Sequence, residues 1–374
     1  MPPAVSQKKL TQPPHGGKGL RILVAPLDWG LGHATRCIPV IQLLMNNGAE
    51  VLLAGEGKMA ALLSEAFPGL TLLPLKGYGV HYSGRSLAWS LVKQVPKILR
   101  VIRAEHRWLQ QAVQEHHIHA VISDNRYGLY HPAIPTVIIT HQLRIQTGFG
   151  PGPDGLLQRL HYRYLNRFSF CWVPDAPQAP GLAGALSHPQ KLPKTPVYCT
   201  GALSRFTLKS SAPKTHDLLF LLSGPEPQRT RFEEMVCNSL KNFSGNAVLV
   251  RGLPGTAVSP LHLPPNIQVY AHLPSVALEK AISGARWVVC RSGYSTLMDL
   301  AALGAQALLV PTPGQTEQEY LARHAQEQGW AIAVAQKDFD LTILTQAPAV
   351  HFHQTTDTAA SLHTALEALF VACG

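Results

Sequence analysis

The feature that most constrains the fold is a series of short apolar runs separated by helical segments, which occurs once in each half of the chain. The runs at 21–26 (RILVAP), 120–123 (AVIS) and 136–140 (TVIIT) have the length and β-branched content of buried strands. Segments 38–46 and 156–167 have helical spacing. Strands that alternate with helices in this way predict an α/β fold with a parallel, doubly wound sheet.

The pattern starts again in the second half. The predicted strands there are 217–222, 247–251, 267–270, 287–290 and 307–310. Before them, 175–196 is rich in Pro, Gly and Ala, and 204–216 is polar, so we predict a domain boundary near 205. The predicted parts are a mobile tail (1–19), two Rossmann-like domains (20–205 and 206–350) and a final helical segment (351–374) that can pack back on the first domain. Open α/β sheets bind ligands beyond the carboxyl ends of their strands, so two facing sheets predict a functional cleft.

Composition narrows the class of protein. Hydrophobic residues make up 46% of the 374 residues, which excludes a disordered chain. The N-terminus has no apolar segment typical of a secretory signal, and the six cysteines show no metal-ligand spacing. Both observations favour a cytoplasmic protein with reduced cysteines.

The formal net charge of +10 favours an anionic partner. Nucleic acid, anionic lipid and phosphorylated substrates all fit this charge, but no nucleic-acid-binding motif is present. Basic residues recur every three or four positions in a predicted amphipathic helix at 86–113, namely Lys93, Lys97, Arg100, Arg103 and Arg107. Two interpretations stay open: a solvated helix packed on the sheet, or peripheral contact with an anionic membrane on its cytoplasmic face, to which the aromatic stretch 162–170 would contribute.

The strongest motif runs from 287 to 329. A predicted strand ends at Cys290, and Arg291-Ser292-Gly293 turns the chain into a helix, with Ser292 suited to the N-cap region. Free N–H groups and the positive end of the helix dipole would hold a diphosphate there. Asp299, about two turns into the helix, has a carboxylate that suits ribose hydroxyls, and the loop at 311–318 carries polar side chains that suit a sugar.

These residues resemble the nucleotide-sugar site of glycosyltransferase family 28, which has the GT-B architecture of two Rossmann-like domains and is similar in plan to the UDP-glucuronosyltransferase superfamily. The resemblance implies a UDP-sugar donor held by 206–350, an acceptor held by 20–205, and no cofactor. The implied nucleotide-sugar-binding residues are Gly32, Gly224, His272, Leu273, Arg291, Ser292, Gly293, Ser295, Thr296, Asp299, Gln315, Gln318 and Glu319. The family usually has Glu at the position of Asp299 and Gln-Gln at 318–319, so the identity of the sugar stays open.

The N-terminal motif is Gly30-Leu31-Gly32-His33, directly after the first strand. An imidazole at the start of a helix is kept neutral by the positive end of the dipole, which suits a general base. Related glycosyltransferases carry a glycine-rich loop ending in His at this place. The longer pattern from Gly30 to Arg36, GxGHxxR, also resembles the UDP-sugar hydrolases of pseudaminic acid synthesis.

Asp124 follows the strand at 120–123, in the same ligand-facing row as His33. In glucuronosyltransferase-like enzymes an Asp in a comparable place orients the catalytic His, and we predict this role for Asp124, with Asp28 as the alternative. His141 faces the same edge and is a candidate acceptor contact. Gly224 lies in a turn, 223–229, that can face the donor phosphates, with Arg229 adding positive charge.

Together these features predict an inverting, metal-independent glycosyltransferase, because no DxD metal motif directly follows a predicted strand and helix N-termini must stabilise the leaving diphosphate. The acceptor is unknown, with a lipid-linked acceptor as one option. Two other classes stay open. A UDP-sugar hydrolase would use water through the same His33, and a non-catalytic nucleotide-sugar-binding protein would not need His33.

Overall fold

The computed structural model describes residues 16–79, 87–146, 150–207, 213–255, 260–348, 350–352 and 358–374. The elements of the first half are β1 (Arg21–Pro26), α1 (Leu31–Asn46), β2 (Glu50–Gly55), α2 (Gly57–Ala66), β3 (Thr71–Pro74), α3 (Leu87–Glu115), β4 (Ala120–Asp124), β5 (Thr136–Ile139), α4 (Pro151–Leu165), β6 (Phe170–Val173) and β7 (Val197–Cys199). Those of the second half are β8 (His216–Leu221), α5 (Gln228–Leu240), β9 (Ala247–Val250), β10 (Ile267–Tyr270), α6 (Ser275–Gly284), β11 (Ala285–Cys290), α7 (Tyr294–Ala302), β12 (Ala307–Leu309), α8 (Thr316–Glu327), β13 (Ile332–Ala333) and α9 (Thr358–Cys373). Residues 1–15 of the predicted tail, 208–212 after the predicted boundary, Ser86 and the side chain of Lys93 lie outside the described part.

The chain forms two parallel sheets, as predicted. The first has seven strands in the order β3-β2-β1-β4-β5-β6-β7, and the second has six in the order β10-β9-β8-β11-β12-β13. In each sheet the strand order reverses beside the first strand, between β1 and β4 and between β8 and β11. Register places Pro26 beside Asp124 and Leu221 beside Cys290, so the loops that carry the motifs leave the sheets at these reversal points.

Alternation of side chains along each central strand explains why helices cover both faces of the sheets. In β1, Ile22 and Val24 belong to one apolar cluster, whereas Leu23 and Ala25 belong to another. All four are fully buried. Burial of each large aliphatic side chain contributes roughly 1.5–3 kcal/mol, so both faces of the strand favour a covered, parallel sheet.

Four elements were not predicted: α2, β7, α8 and β13. Strands β7 and β13 have only three and two residues, so their sequences show no periodicity. Their pairing with β6 and β12 defines them. The predicted loop at 311–318 is shorter than expected, because α8 begins at Thr316. Gln318 and Glu319 therefore lie in the first turn of a helix.

The two domains are in contact through α7 and α8. The Tyr294 hydroxyl donates to the carbonyl of Pro174 (2.6 Å), and the Tyr320 hydroxyl accepts from the amide of Ala185 (2.7 Å). Helix α9 packs against β7 and α1 of the first domain. Within the described ranges, no helix combines the length and the apolarity needed to cross a membrane.

Candidate active site

The glycine-rich turn after β1 brings the starts of α1 and α7 together. Gly30, the N-cap of α1, has φ of 148°, which favours glycine. A Cβ on Gly32 would lie 2.6 Å from Ser295 Oγ, so only glycine allows this approach. The Ser295 hydroxyl donates to the Gly32 carbonyl (3.0 Å). The positive ends of two helix dipoles, one from each domain, therefore meet at the cleft.

His33 lies in the first turn of α1 and contacts Asp124 at the end of β4. Its Nδ1 is 3.1 Å from Asp124 Oδ2. The Asp124 side chain is fully buried, whereas the His33 side chain is 19% exposed. The structure thus brings together the predicted base and its predicted partner, and leaves the imidazole accessible from the cleft.

Arg36, one turn after His33, also binds Asp124. Its Nε donates to Asp124 Oδ2 (2.7 Å), and its Nη2 donates to Asp124 Oδ1 in a paired, buried ion pair. The same Nη2 lies 2.9 Å from His33 Nδ1. The sequence motifs include Arg36 only as the last residue of GxGHxxR, but its spacing of three from His33 puts both side chains on one face of α1.

The charges of this cluster set its protonation. Burial raises the pKa of the Asp124 carboxyl, but Arg36 and His33 outweigh this effect and hold the pKa at about 2. Burial lowers the pKa of His33, Asp124 raises it, and Arg36 lowers it again, so the net value lies below the ordinary 6.5. Asp124 is therefore ionised and His33 neutral at neutral pH.

The alternative partner, Asp28, is used elsewhere. Its carboxylate accepts from the amides of Tyr78 (3.0 Å) and Gly79 (3.2 Å) and holds the loop after β3. Asp28 therefore serves a backbone turn, and Asp124 alone pairs with His33 among these two carboxylates.

A second polar bridge crosses the cleft. His141 Nε2 lies 2.9 Å from Glu317 Oε1, and Gln142 Nε2 donates to Glu317 Oε2 (2.5 Å). The His141 ring stacks on Tyr294 with centroids 4.0 Å apart. Burial raises the pKa of Glu317, but His141 lowers it more, with help from the charges of His33 and Arg36. Glu317, which the sequence motifs did not single out, is thus a residue of α8 that contacts the first domain, as Tyr320 does further along the helix.

The turn before α7 differs from the prediction in two residues. Gly293, not Ser292, is the N-cap, and the buried Ser292 hydroxyl donates to the carbonyl of Gln318 (2.7 Å). Arg291 points into the domain, where its guanidinium donates to the carbonyls of Val310 and Pro311, among others. Burial lowers the pKa of Arg291 to about 10. Ser292 and Arg291 therefore brace the turn, and the α7 N-terminus is the group offered to a ligand.

Asp299 faces the linker between the domains. Its Oδ1 accepts from the Ser204 hydroxyl (2.6 Å), and Arg205 lies close enough to affect its charge. Burial raises the pKa of the Asp299 carboxyl to about 6, in spite of both neighbours. Arg205 Nε is buried and has no hydrogen-bond partner among the described residues.

A cavity of about 510 Å³ opens beside Arg205, between α2 and the second domain. Lys58, Leu62 and Glu65 line its first-domain wall, and His272 and Ser275 line the opposite wall. His272 is exposed there, whereas Leu273, next to it, is buried. The cavity therefore contains one of the predicted nucleotide-binding residues, together with Arg205, which was not predicted.

The remaining predicted contacts surround the loop after β12. Gln318 uses its amide oxygen to accept from the Thr312 amide (2.8 Å), and Glu319 accepts from the Gly314 amide (2.8 Å). Both side chains thus shape the loop that Gln315 ends as the N-cap of α8. Thr296 lies in the first turn of α7, beside Gly293.

The turn at 223–229 contributes less charge than predicted. Arg229 is buried and pairs with Glu226 (2.5 Å) and Glu233 (3.2 Å). Its charge is therefore neutralised within the domain. Gly224, with φ of 104°, stays exposed on the cleft side of Thr312.

The fold and the opposed helix N-termini define the class, the GT-B architecture of glycosyltransferases. The glycotransferase of kitacinnamycin has the same fold, with a TM-score of 0.64 and 17% identity over 96% of each chain. Acinetobacter baumannii MurG has a TM-score of 0.51 and 16% identity, covering 95% of this chain and 94% of that chain. At these identities the similarity shows the fold alone, and it confirms the predicted architecture.

Sequence comparison identifies relatives of the second domain. The family model of the glycosyltransferase family 28 C-terminal domain matches residues 259–365. The UDP-N-acetylglucosamine–N-acetylmuramyl-(pentapeptide) pyrophosphoryl-undecaprenol N-acetylglucosamine transferase of Desulforudis audaxviator (strain MP104C) is 37% identical over 94 residues. This match covers 25% of the chain and 24% of the relative. The transferase of the same name from Methylorubrum extorquens (strain PA1) is 33% identical over 129 residues, 32% of the chain and 30% of the relative. Residues 259–365 are thus similar to the family 28 C-terminal domain, and the chain spans about a quarter to a third of the length of these relatives.

Proposed function

We propose that the protein is an inverting, metal-independent glycosyltransferase that moves a sugar from a UDP-sugar to an acceptor hydroxyl. The observation that carries the proposal is the contact between His33 and Asp124, opposite the N-terminus of α7. A neutral imidazole beside a buried carboxylate is the arrangement of a general base, and a free helix N-terminus is an anion site.

The donor is assigned to the second domain. Its diphosphate would lie at the start of α7, near Gly293, Ser295 and Thr296. The cavity beside His272 would hold the nucleobase of UDP. Asp299 would accept hydrogen bonds from the ribose hydroxyls in place of the one from Ser204. Arg205, with an unpartnered buried Nε, would add positive charge beside them.

In the proposed reaction, His33 accepts the proton of the acceptor hydroxyl while the acceptor oxygen attacks the anomeric carbon. The bond from that carbon to the diphosphate oxygen breaks on the opposite face, so the configuration inverts and UDP leaves. The negative charge that develops on UDP is stabilised by the dipole of α7 and by Arg205. We therefore expect turnover without a divalent metal or another cofactor.

Hydrolysis is the second candidate, and Arg36 favours it. The GxGHxxR pattern resembles UDP-sugar hydrolases, and the last residue of that pattern is part of the His33 cluster. Water would then replace the acceptor at the same His33. The donor site is the same in both cases.

We also propose a lipid-linked acceptor and peripheral contact with an anionic membrane on its cytoplasmic face. The relatives' names include a pyrophosphoryl-undecaprenol acceptor. Arg100, Arg103 and Arg107 are exposed on α3. Helix α4, which packs beside α3 through Tyr164, exposes three leucines, Leu156, Leu157 and Leu160. Basic and apolar side chains exposed on two adjacent helices suit an anionic lipid surface.

The test is an assay of UDP release over a panel of nucleotide sugars, with and without lipid-linked and soluble acceptors, and with a chelator. Release that needs an acceptor supports the transferase, and equal release in water supports the hydrolase. A protein that binds UDP but releases none from any sugar nucleotide would contradict both. Turnover that a chelator abolishes and a divalent ion restores would refute metal independence.

A further inference from the structure

The protonation of His33 depends on which neighbour its Nδ1 contacts. Nδ1 lies 3.1 Å from an acceptor, Asp124 Oδ2, and 2.9 Å from a donor, Arg36 Nη2. A neutral imidazole nitrogen either donates or accepts, so only one of these contacts is a hydrogen bond. If Nδ1 accepts from Arg36, the proton sits on Nε2, and Nε2 cannot act as a base.

Arg36 has one hydrogen whose partner decides the case. Its Nε hydrogen goes to Asp124 Oδ2 (2.7 Å), and one Nη2 hydrogen goes to Asp124 Oδ1. The other Nη2 hydrogen can point to His33 Nδ1 unless a different acceptor takes it. Guanidinium hydrogens are fixed in a plane, so the competing acceptor must lie near that plane.

Asn125 supplies that acceptor. With its amide oxygen facing Arg36, this oxygen accepts from Nη2 (3.1 Å), and its amide nitrogen donates to Thr140 Oγ1 (3.0 Å) and to the Ile139 carbonyl (3.3 Å). In the opposite orientation of the Asn125 amide group, its nitrogen faces Arg36 and these hydrogen bonds are lost. Asn125 has φ of 56°, a left-handed conformation that Asn adopts more readily than most other residues.

We propose that Asn125 is a positioning residue that, together with Arg36, selects the tautomer of His33 that carries its proton on Nδ1. Asn125 takes the spare Nη2 hydrogen of Arg36, Nδ1–H donates to Asp124 Oδ2, and Nε2 is left with its lone pair towards the cleft. Asp124 Oδ2 then accepts from Arg36 Nε and from His33 Nδ1–H, and the thiol of Cys37 adds only a weak, longer contact (3.9 Å).

The other groups around His33 do not replace this selection. Cys37 Sγ, also on α1, lies 3.9 Å from Asp124 Oδ2, so it faces the carboxylate. His141, after β5, and Glu317, on α8, bind each other across the cleft (2.9 Å). They contribute charge to the surroundings of His33, but within the described part of the chain the contacts of its Nδ1 are with Asp124 and Arg36.

The experiment reads the tautomer directly in the free protein, by two-bond ¹H–¹⁵N correlation NMR with ¹⁵N-histidine at a pH above the His33 pKa. A His33→Gln variant identifies the signal. We expect the wild-type His33 to show a protonated Nδ1 and an unprotonated Nε2. A wild-type spectrum with the proton on Nε2 would overturn the proposal.

Two substitutions at 125 separate the amide from the backbone. Asn125→Gly keeps the left-handed backbone and removes the acceptor, so we expect the Nδ1–H to Nε2–H ratio to fall by about 2- to 10-fold, the factor that the net free energy of one hydrogen bond gives. Asn125→Asp keeps an oxygen facing Arg36 and should retain the Nδ1–H tautomer. An unchanged ratio in a folded Asn125→Gly protein would overturn the role of Asn125.

The inference rests on the proposed function only for the use made of Nε2. Its test needs no substrate, so the two can fail separately. The expected tautomer in a protein that never releases UDP would contradict the proposed function and support the inference. Turnover with the proton on Nε2 would overturn the inference alone.

Discussion

The His33–Asp124 cluster and the surroundings of Asp299 differ in how completely their polar groups are satisfied. In that cluster, the Asp124 carboxylate is bound by both Arg36 and His33, so its partners all come from the protein. Asp299, in the second domain, accepts one hydrogen bond from Ser204 of the linker, and Arg205 Nε, also in the linker, is buried without a partner among the described residues. Thr312 Oγ1 of the second domain is likewise buried without a partner among the described residues.

This difference matches the division of labour that we propose. A general base must be held in one geometry before the reaction, so its partners come from the protein. A donor site must exchange its internal contacts for those of the ligand, so incomplete satisfaction is expected there. The comparison also predicts which variants affect turnover and which affect binding.

The largest effect should come from His33→Ala. Turnover should fall by roughly two to four orders of magnitude, because general-base catalysis is lost, while the affinity for a UDP-sugar stays nearly unchanged. The wild-type rate should rise with pH through an apparent pKa below 6.5, since neutral His33 is the active form and its pKa is lowered. Steady-state UDP release and calorimetry measure these effects, with the exposed His262→Ala as control. Wild-type turnover in the His33→Ala protein would contradict the assignment of the general base to the His33–Asp124 cluster.

Asp124→Asn should destabilise the first domain and lower turnover less than His33→Ala does. It leaves the buried Arg36 without its carboxylate, which costs about 3–5 kcal/mol. In the wild type, the lowered pKa of Asp124, about 2, adds stability above the unfolded pKa of about 3.9, and this stability is lost as the pH falls towards 2. Urea unfolding between pH 3 and 7 measures this. A variant as stable as the wild type at pH 7 would show that the cluster is not preorganised.

Asp299→Asn should have the opposite effect on stability. The raised pKa of Asp299, about 6, means that its ionisation destabilises the fold as the pH rises from about 4 to above 6. The side-chain amide of the variant does not ionise, so this loss of stability does not occur. The variant should therefore be more stable than the wild type at pH 8 by about 2–3 kcal/mol, the free energy of a shift of two pKa units.

The same substitution should weaken UDP binding by about 1–3 kcal/mol, because charge-assisted hydrogen bonds to ribose are lost. Calorimetry with UDP measures it, and the exposed Asp338→Asn is the matched control. Unchanged UDP affinity would remove Asp299 from the donor site.

The contact between His33 and Asp124 could be predicted because it follows from topology. Parallel strands β1 and β4 are neighbours, and Pro26 pairs with Asp124, so residues after both strands must meet at one edge. No side-chain detail was needed. The same reasoning placed the α7 N-terminus at the edge of the second sheet.

Direction of side chains within the second site could not be predicted in the same way. Successive residues of a helix are rotated by about 100°, so a start of α8 at Thr316 decides that Glu317 faces the first domain while Gln318 faces its own loop. Arg291 is similar: a guanidinium after a strand can reach the cleft or the domain interior, and the carbonyls of Val310 and Pro311 decide for the interior.

The smallest effect concerns the outer surface of the first domain. Leu156 and Leu160 on α4 are 69% and 42% exposed, and Arg159 and Arg163, three residues after each of them on the same helix, are exposed as well. The Leu156→Ser/Leu160→Ser protein should bind acidic liposomes more weakly by about 1–3 kcal/mol, because apolar burial is lost. Helix α4 lies outside the cleft, but Gln158 on its inner face holds the chain after Gln142 by accepting from Ile145 (2.8 Å). The two substitutions leave Gln158 in place. UDP release by the double variant with a soluble acceptor should therefore stay at the wild-type rate, provided that this inner face is intact. Val371→Ser, on α9, is the matched control, since Val371 is 54% exposed. Sedimentation at low and high salt measures the binding. High salt should weaken liposome binding by both the wild type and the double variant, because the basic residues contribute about 1 kcal/mol each. Equal sedimentation of the double variant and the wild type would leave α4 as a scaffold for the acceptor side of the cleft.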